Sequence, residues 1–191
     1  MPYPAKTSAE QILAAALALL EQRGRAGLTL RALATELNLT PNALYRYFPS
    51  REALLAAVAT QGAALLFGDV RAALGDEPLS QPDAGLFELA RRYLRFARQR
   101  PALYDLYMTC GSLSAEQRRS YDQLWQVVVR QLEPLAGPRS AEVAMTLWSY
   151  LHGLVGLERS GVYDVRDTAK PPENLEFGLG LLLAGLAVNS V

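Results

Sequence analysis

The order of apolar and polar residues between Leu28 and Arg51 predicts two short helices joined by a tight turn. Leu30, Leu33, Ala34 and Leu37 recur at i, i+3, i+4 and i+7, which sets one apolar stripe against an interior. Thr29 precedes that stripe as an N-cap, with Leu28 and Leu33 as the hydrophobic staple around it. The same device recurs at once. Thr40 is the second cap, Pro41 takes the first helical position, where its missing N–H costs nothing, and Leu39 is stapled to Leu44. Between the two starts lies Asn38, the non-glycine residue type that best tolerates a left-handed backbone. On the second helix, expected from Thr40 to about Tyr47, Leu44 and Phe48 share the inner face. Asn42, Tyr45 and Arg46 share the outer one.

The rest of the chain reads as further helices. Thr7 with Glu10 and Ser8 with Gln11 form overlapping capping boxes for a helix over residues 8–23. Its inner stripe is Ile12, Leu13, Ala16, Leu19 and Leu20, and Gly24 is its stop. Ser50 caps a long helix bearing Leu54, Leu55, Val58, Leu65 and Leu66. Residues 74–85, rich in Gly, Pro, Asp and Ser, predict a loop. Beyond it come helices over about 86–100, with Leu86, Leu89, Tyr93 and Phe96 on one side, then from Pro101 to Gly111. Three more follow: from Ser114, capped with Gln117, to about Leu132 before Pro134; from Ser140 to a stop at Gly161; and over about 173–189. No stretch alternates with period two. The expected fold is therefore all-α with about nine helices: a three-helix helix-turn-helix domain over residues 1–51 and a helical bundle over 52–191.

An exposed Asn, Tyr and Arg with no apolar role suit a helix that reads DNA. Asn can pair bidentately with adenine and Arg with guanine, and the Ala43 methyl can touch that of thymine. A helix of this length, roughly 10–12 Å, fits a major groove. Arg51 falls in the first turn of the long helix, where backbone N–H groups also point outward, a combination suited to a phosphate.

These residues carry a resemblance. LTLRALATELNLTPNALYRYFPSREALL is similar to the DNA-binding segment of the TetR family of bacterial transcriptional regulators, through Thr29, Ala34, Tyr45, Tyr47, Phe48, Arg51 and Leu54. It departs from the family pattern at Asn38, usually Gly, and at Arg51, more often Lys. TLWSYLHGLVGLERSG resembles the Trp-x-x-x-His-Gly (WHG) motif of one type of TetR-family C-terminal domain, through Trp148, His152 and Gly153. YLRFARQRPALYDLYM resembles the segment before it. The expected DNA-contacting set is Thr29, Arg31, Thr40, Pro41, Asn42, Ala43, Tyr45, Arg46, Tyr47 and Arg51. The resemblance implies a repressor that binds double-stranded DNA as a homodimer and is released by a small, apolar effector, with 52–191 as its ligand-binding and dimerisation bundle, and the single Cys suits a reducing, cytoplasmic setting.

Charge sharpens this picture. The chain is neutral overall, with 19 basic and 19 acidic residues. Through Arg51 there are six basic residues against three acidic, a net +3, and the remainder carries −3. The basic excess coincides with the proposed reading unit. The five arginines of residues 91–100 form a second basic cluster, in which Arg91, Arg95 and Arg98 share a face. With no aromatic residue interleaved, that face reads as solvated rather than as a second nucleic-acid surface. One Cys, Cys110, allows no internal disulfide and reads as a small buried hydrophobe. MPYPAKTS lacks an apolar signal segment, and the longest apolar run, from Leu179 to Val188, falls short of a membrane span, so no membrane association is expected.

Two further sets of residues are expected to matter. In the last two long helices Gly153, Gly156, Gly178 and Gly185 interrupt apolar faces. Interior glycines cost about 1 kcal/mol each relative to Ala, so close packing should offset them. A homodimeric four-helix interface through Gly153, Gly156, Leu179, Leu182, Leu183 and Leu186 would supply it. Phe67, Tyr93, Phe96, Tyr104, Tyr107, Met108, Trp125, Trp148 and His152 are candidate pocket residues, although such side chains at helical spacing also serve as plain core, and His152 reads first as structural. An enzyme finds little to work with: one His, one Cys, no Gly-rich phosphate loop, and no ligand spacing for a metal or cofactor. A helical adaptor that binds another protein through its terminal helices is the other alternative.

Overall fold

A computed structural model describes residues 8–75, 82–109, 115–165 and 171–188, and these are all-α with no strand among them. There are ten α-helical segments: α1 (Ala9–Gly27), α2 (Leu30–Glu36), α3 (Pro41–Tyr45), α4 (Arg51–Leu74), α5 (Pro82–Gln99), α6 (Pro101–Thr109), α7 (Ala115–Ala136), α8 (Ser140–Arg159), α9 (Val162–Val165) and α10 (Pro171–Val188). Eight have seven residues or more, so the expected nine depends only on how the short α3 and α9 are counted. The capping expected of Thr7 and Ser114, and the burial expected of Cys110, fall outside the described residues.

The chain divides into two compact units. Unit 1 is Met1–Leu65 with Arg100–Ser120, and unit 2 is Leu66–Gln99 with Tyr121–Val191. In unit 1, α1 opens with the capping box expected of Ser8 and Gln11. Gly24 takes a left-handed φ of 66°, so the helix kinks there and makes one further turn before Leu28. Packing of α1 on α2 and α6 buries Ile12, Leu19 and Leu20, and Leu33, Leu44, Leu54 and Leu103 join the same core. At about 25 cal/mol per Å2, each such leucine is worth roughly 1.5–3 kcal/mol.

In unit 2, α8 packs against α5, α9 and α10. The stripe expected on α5, Leu86, Leu89, Tyr93 and Phe96, is buried, as are Leu147, Leu151 and Leu154 of α8 and Leu175 and Leu179 of α10. Three boundaries differ from expectation. The loop ends earlier, because Pro82 starts α5 as an N1 proline. Pro134 does not stop α7, which ends two residues later: a proline's fixed φ is compatible with the helix, and the chain leaves it within the same turn. Residues 162–165 form α9 after Gly161, whose φ is 70°.

The window Arg51–Ala72 of α4 is long and apolar enough to cross a membrane by length and composition, and it holds core residues Leu54, Leu55 and Val58. A core helix passes that test as readily as a membrane span.

Candidate nucleic-acid interface

The hairpin of α2 and α3 is fixed by local hydrogen bonds. Thr29 Oγ1 accepts from the Ala32 N–H at 3.1 Å, and Thr40 Oγ1 from the Ala43 N–H at 3.3 Å, so both expected caps are in place. At the end of α2, Asn38 adopts a φ of 55°. Its N–H donates to the Thr35 carbonyl at 3.2 Å and the Leu39 N–H to the Ala34 carbonyl at 2.8 Å, the paired bonds of a Schellman stop. Asparagine thus does here what glycine would do at lower conformational cost.

The α-helical span of α3 is only Pro41–Tyr45, shorter than the run to Tyr47 expected from the sequence. The Tyr47 and Phe48 N–H groups both donate to the Leu44 carbonyl at 2.9 Å, so the winding tightens into a turn that delivers Phe48 to the interior. Leu44 is fully buried. Around that anchor Asn42, Tyr45, Arg46 and Tyr47 are exposed, Tyr45 at 51% and Tyr47 at 45%. Arg31, Thr40 and Pro41 are exposed beside them, and Thr29 and Ala43 are half-buried. All these positions belong to unit 1.

Arg51 is placed differently. Its Nε donates to the Leu28 carbonyl at 3.0 Å and an Nη to the Arg25 carbonyl at 2.5 Å, so the guanidinium ties the first turn of α4 to the last turn of α1 and its C-cap. Ser50 caps α4 as expected, accepting from the Ala53 N–H at 3.1 Å. The Glu52 carboxyl is held below its ordinary value, chiefly by its own backbone N–H and then by the Ser50 hydroxyl and Arg51.

Glu21 is the contact that sequence reading missed. Its carboxylate accepts from the Leu103 N–H at 2.9 Å and the Ala102 N–H at 3.2 Å, capping α6 from the flank of α1. The signal lay at Arg100, which precedes Pro101 and cannot cap: the open N–H groups of α6 need an acceptor from elsewhere.

Residues 12–58 match the sequence profile "Bacterial regulatory proteins, tetR family", and residues 86–180 match "Tetracyclin repressor-like, C-terminal domain". An uncharacterized HTH-type transcriptional regulator of Mycobacterium tuberculosis is 31% identical over 170 residues, spanning 86% of this chain and 76% of that one. The chain belongs to the TetR family. YobS of Bacillus subtilis, another uncharacterized HTH-type regulator, is 26% identical across 95% of this chain and 93% of its own. A structure of unknown function from a Rhodococcus species superposes with a TM-score of 0.83 at 26% identity, covering 98% and 99% of the two chains. A TetR variant of Acinetobacter baumannii in complex with minocycline gives 0.69 at 24%, covering 96% and 98%. This TetR-family chain is a DNA-binding transcriptional regulator and not an enzyme.

The other expected residues fall in both units. Of the pocket candidates, Tyr104, Tyr107 and Met108 belong to unit 1, and Phe67, Tyr93, Phe96, Trp125, Trp148 and His152 to unit 2. Tyr93, Phe96, Tyr104 and Tyr107 are buried, and Phe67, Met108 and Trp125 half-buried. Trp148, 40% exposed, lies beside exposed His152 with ring centroids 6.1 Å apart, so this WHG pair sits on a surface rather than lining an enclosed cavity.

Of the interface candidates, Gly153 and Gly156 are exposed, and a Cβ on either would meet nothing within 4 Å. Leu182, Leu183 and Leu186 are half-buried. Leu179 is 1% exposed and already belongs to the chain's own core, because its side of α10 packs within unit 2. Gly178 likewise answers an internal need: a Cβ there would lie about 2.1 Å from the Tyr150 hydroxyl oxygen. The apolar side chains left uncovered are instead Phe177 and Leu181 of α10 and Met145, Trp148 and Leu157 of α8.

Proposed function

We propose that this regulator is a homodimeric, cytoplasmic repressor whose two α3 helices enter successive major grooves of a near-palindromic operator and leave it when a small, largely apolar molecule binds the C-terminal part. The observation that carries this reading is the exposure of Asn42, Tyr45 and Arg46 around the buried Leu44 on a doubly capped hairpin. Asn42 and Arg46 supply the bidentate base contacts, and Tyr45 and Tyr47 pack against the backbone at the groove edge. The Thr29 and Thr40 hydroxyls, with oxygens used as caps, still have protons to donate to phosphates, alongside Arg31 and the first turn of α3 at Pro41 and Ala43. For Arg51 we assign a positioning role first, since two of its nitrogens already serve backbone carbonyls, with any phosphate contact left to the remaining one.

Residues 1–51 form the DNA-binding part in this scheme and 52–191 the ligand-binding and dimerisation part. Dimerisation is supported by the uncovered apolar side chains of α8 and α10, interspersed with the open glycines 153, 156 and 185. Helices with small residues there allow a second copy to approach closely, and a two-fold pair sets reading helices about 34–36 Å apart, one turn of DNA. Release needs a ligand with different affinity for the docked and undocked spacings. The Acinetobacter TetR variant of similar fold, in complex with minocycline, supports a ligand-controlled reading.

Selection of binding sites from random duplexes by the purified protein tests this reading. Enriched sites should be inverted repeats with half-sites one helical turn apart, bound by two chains. Enrichment of single, asymmetric sites would contradict it.

A further inference from the structure

In unit 2, α5 and α10 flank a groove of about 370 Å3. Its size falls in the range of small-molecule sites, roughly 300–1,000 Å3. Leu94 and Leu175, both almost fully buried, give it an apolar floor. Arg91, Arg95 and Arg98 stand along one wall at i, i+4 and i+7, and Glu176 lies on the other.

The three arginines are not equivalent. Arg98 is engaged two-pronged by Glu158, at 2.9 Å through Nε and 2.5 Å through an Nη, and this pairing raises its already high pKa. Arg91 meets Glu176 at 3.4 Å, with its guanidinium 5.7 Å from the Phe87 ring centroid. Arg95 has no hydrogen bond or ion pair among the described residues. Two of the three cations are thus matched by carboxylates, and one positive charge is left beside an apolar floor. A polyanion would meet Glu176 on the opposite wall. A single negative charge would not need to.

We propose that this groove is a binding site for a small organic monoanion, a monocarboxylate with an aliphatic or aromatic body: the carboxylate accepts from the Arg95 guanidinium and the body lies over Leu94 and Leu175. Guanidinium and carboxylate match as planar forks, and the apolar floor selects against inorganic anions, which have nothing to bury. Gln99, at the end of α5, adds an amide to the rim. The inference rests on unit 2 alone and does not depend on how the chain reads DNA.

Calorimetric titration of the full chain with sodium octanoate, in the absence of DNA, tests it. Saturable binding at one site per chain is expected, with octan-1-ol at least tenfold weaker and sodium sulfate unable to compete. Arg95→Ala should weaken octanoate at least tenfold, and folding is not at issue because Arg95 is exposed and has no hydrogen bond or ion pair among the described residues. Arg100→Ala removes the same charge from outside the groove and should change affinity less than twofold. The site is overturned if octanoate does not saturate, if Arg95→Ala binds it as the parent does, or if octanol binds equally well. Displacement of octanoate by sulfate or by an unrelated oligonucleotide would also overturn it, as the groove would then be a general anion surface. Loss of operator selection with octanoate binding intact would count against the DNA reading and leave this site standing.

Discussion

The hairpin of α2 and α3 and the pair α8 and α10 both leave large side chains uncovered, with opposite chemistry. The hairpin exposes Asn42, Tyr45, Arg46 and Tyr47 around Leu33 and Leu44, which are fully inside. The helix pair exposes Phe177 at 68% and Leu181 at 58%, with Trp148 and Leu157, on helices where an added Cβ at Gly153, Gly156, Gly180 or Gly185 would meet nothing within 4 Å. Polar hydrogen-bonding tips on a rigid frame have nothing to gain from an apolar partner, and they match the edges of base pairs. Bare apolar surface gains from being covered, at about 25 cal/mol per Å2. One region is suited to a nucleic acid and the other to a second copy of the chain. The kind of side chain left outside, more than the amount, distinguishes them.

The sharpest way to break the contrast is to empty the hairpin's anchor. Leu44→Ala should cost about 2–5 kcal/mol of stability, measured by urea unfolding, with DNA binding weakened while the chain still dimerises. If dimerisation failed equally, the two regions would not be separable. Charging the other surface should do the converse. Phe177→Arg together with Leu181→Arg should weaken self-association at least about tenfold, about 1.4 kcal/mol, read by sedimentation. Operator affinity should fall with it, and the helical content of the monomer should stay intact. An unchanged mass would remove α10 from the interface.

How much of this could be read from residue order depends on the range of the interaction. Thr29, Thr40, Ser50 and Ser8 cap helices three residues downstream, and Asn38 turns the chain by its own conformational freedom, so a window of a few residues holds the information. The exposed trio follows from the same period that buries Leu44. Contacts between distant segments were not legible. Glu21 on the N–H groups of α6 and Arg51 on the carbonyls of Arg25 and Leu28 are set by tertiary approach. Glycines show the limit most plainly. Gly62 admits the Leu103 side chain, which would lie 2.8 Å from an added Cβ, and Gly178 admits the Tyr150 ring, but Gly153 and Gly156 touch nothing. All four lie inside helices, and only their neighbours separate internal packing from an open face. Trp148 and Leu179 exchanged expected places for the same reason: periodicity finds an apolar residue without saying which partner covers it.

Smaller effects refine the comparison. Thr40→Ala removes the cap of α3 and should cost about 1 kcal/mol, visible in unfolding and as faster hydrogen exchange at Ala43, with self-association untouched. In unit 2 the effect is one of pH. Tyr150 donates its hydroxyl proton to the Asn174 carbonyl, and burial, then the charge of Tyr163, raise its pKa above the ordinary 10.0. A group raised in this way contributes fully below its unfolded value and loses that contribution as pH rises through the folded one. The parent should therefore lose stability more steeply than Tyr150→Phe above about pH 10, as urea midpoints at pH 8 and above 10 would reveal. Parallel slopes would show that the hydroxyl titrates without consequence.

The central claim is that side chains of α3 read base edges, and Arg46→Ala tests it most directly when its affinity is measured on the selected operator and on unrelated DNA at the same salt. A loss of about 1–3 kcal/mol on the operator with little change on unrelated sequence is expected. An equal loss on both, or none on either, would contradict it.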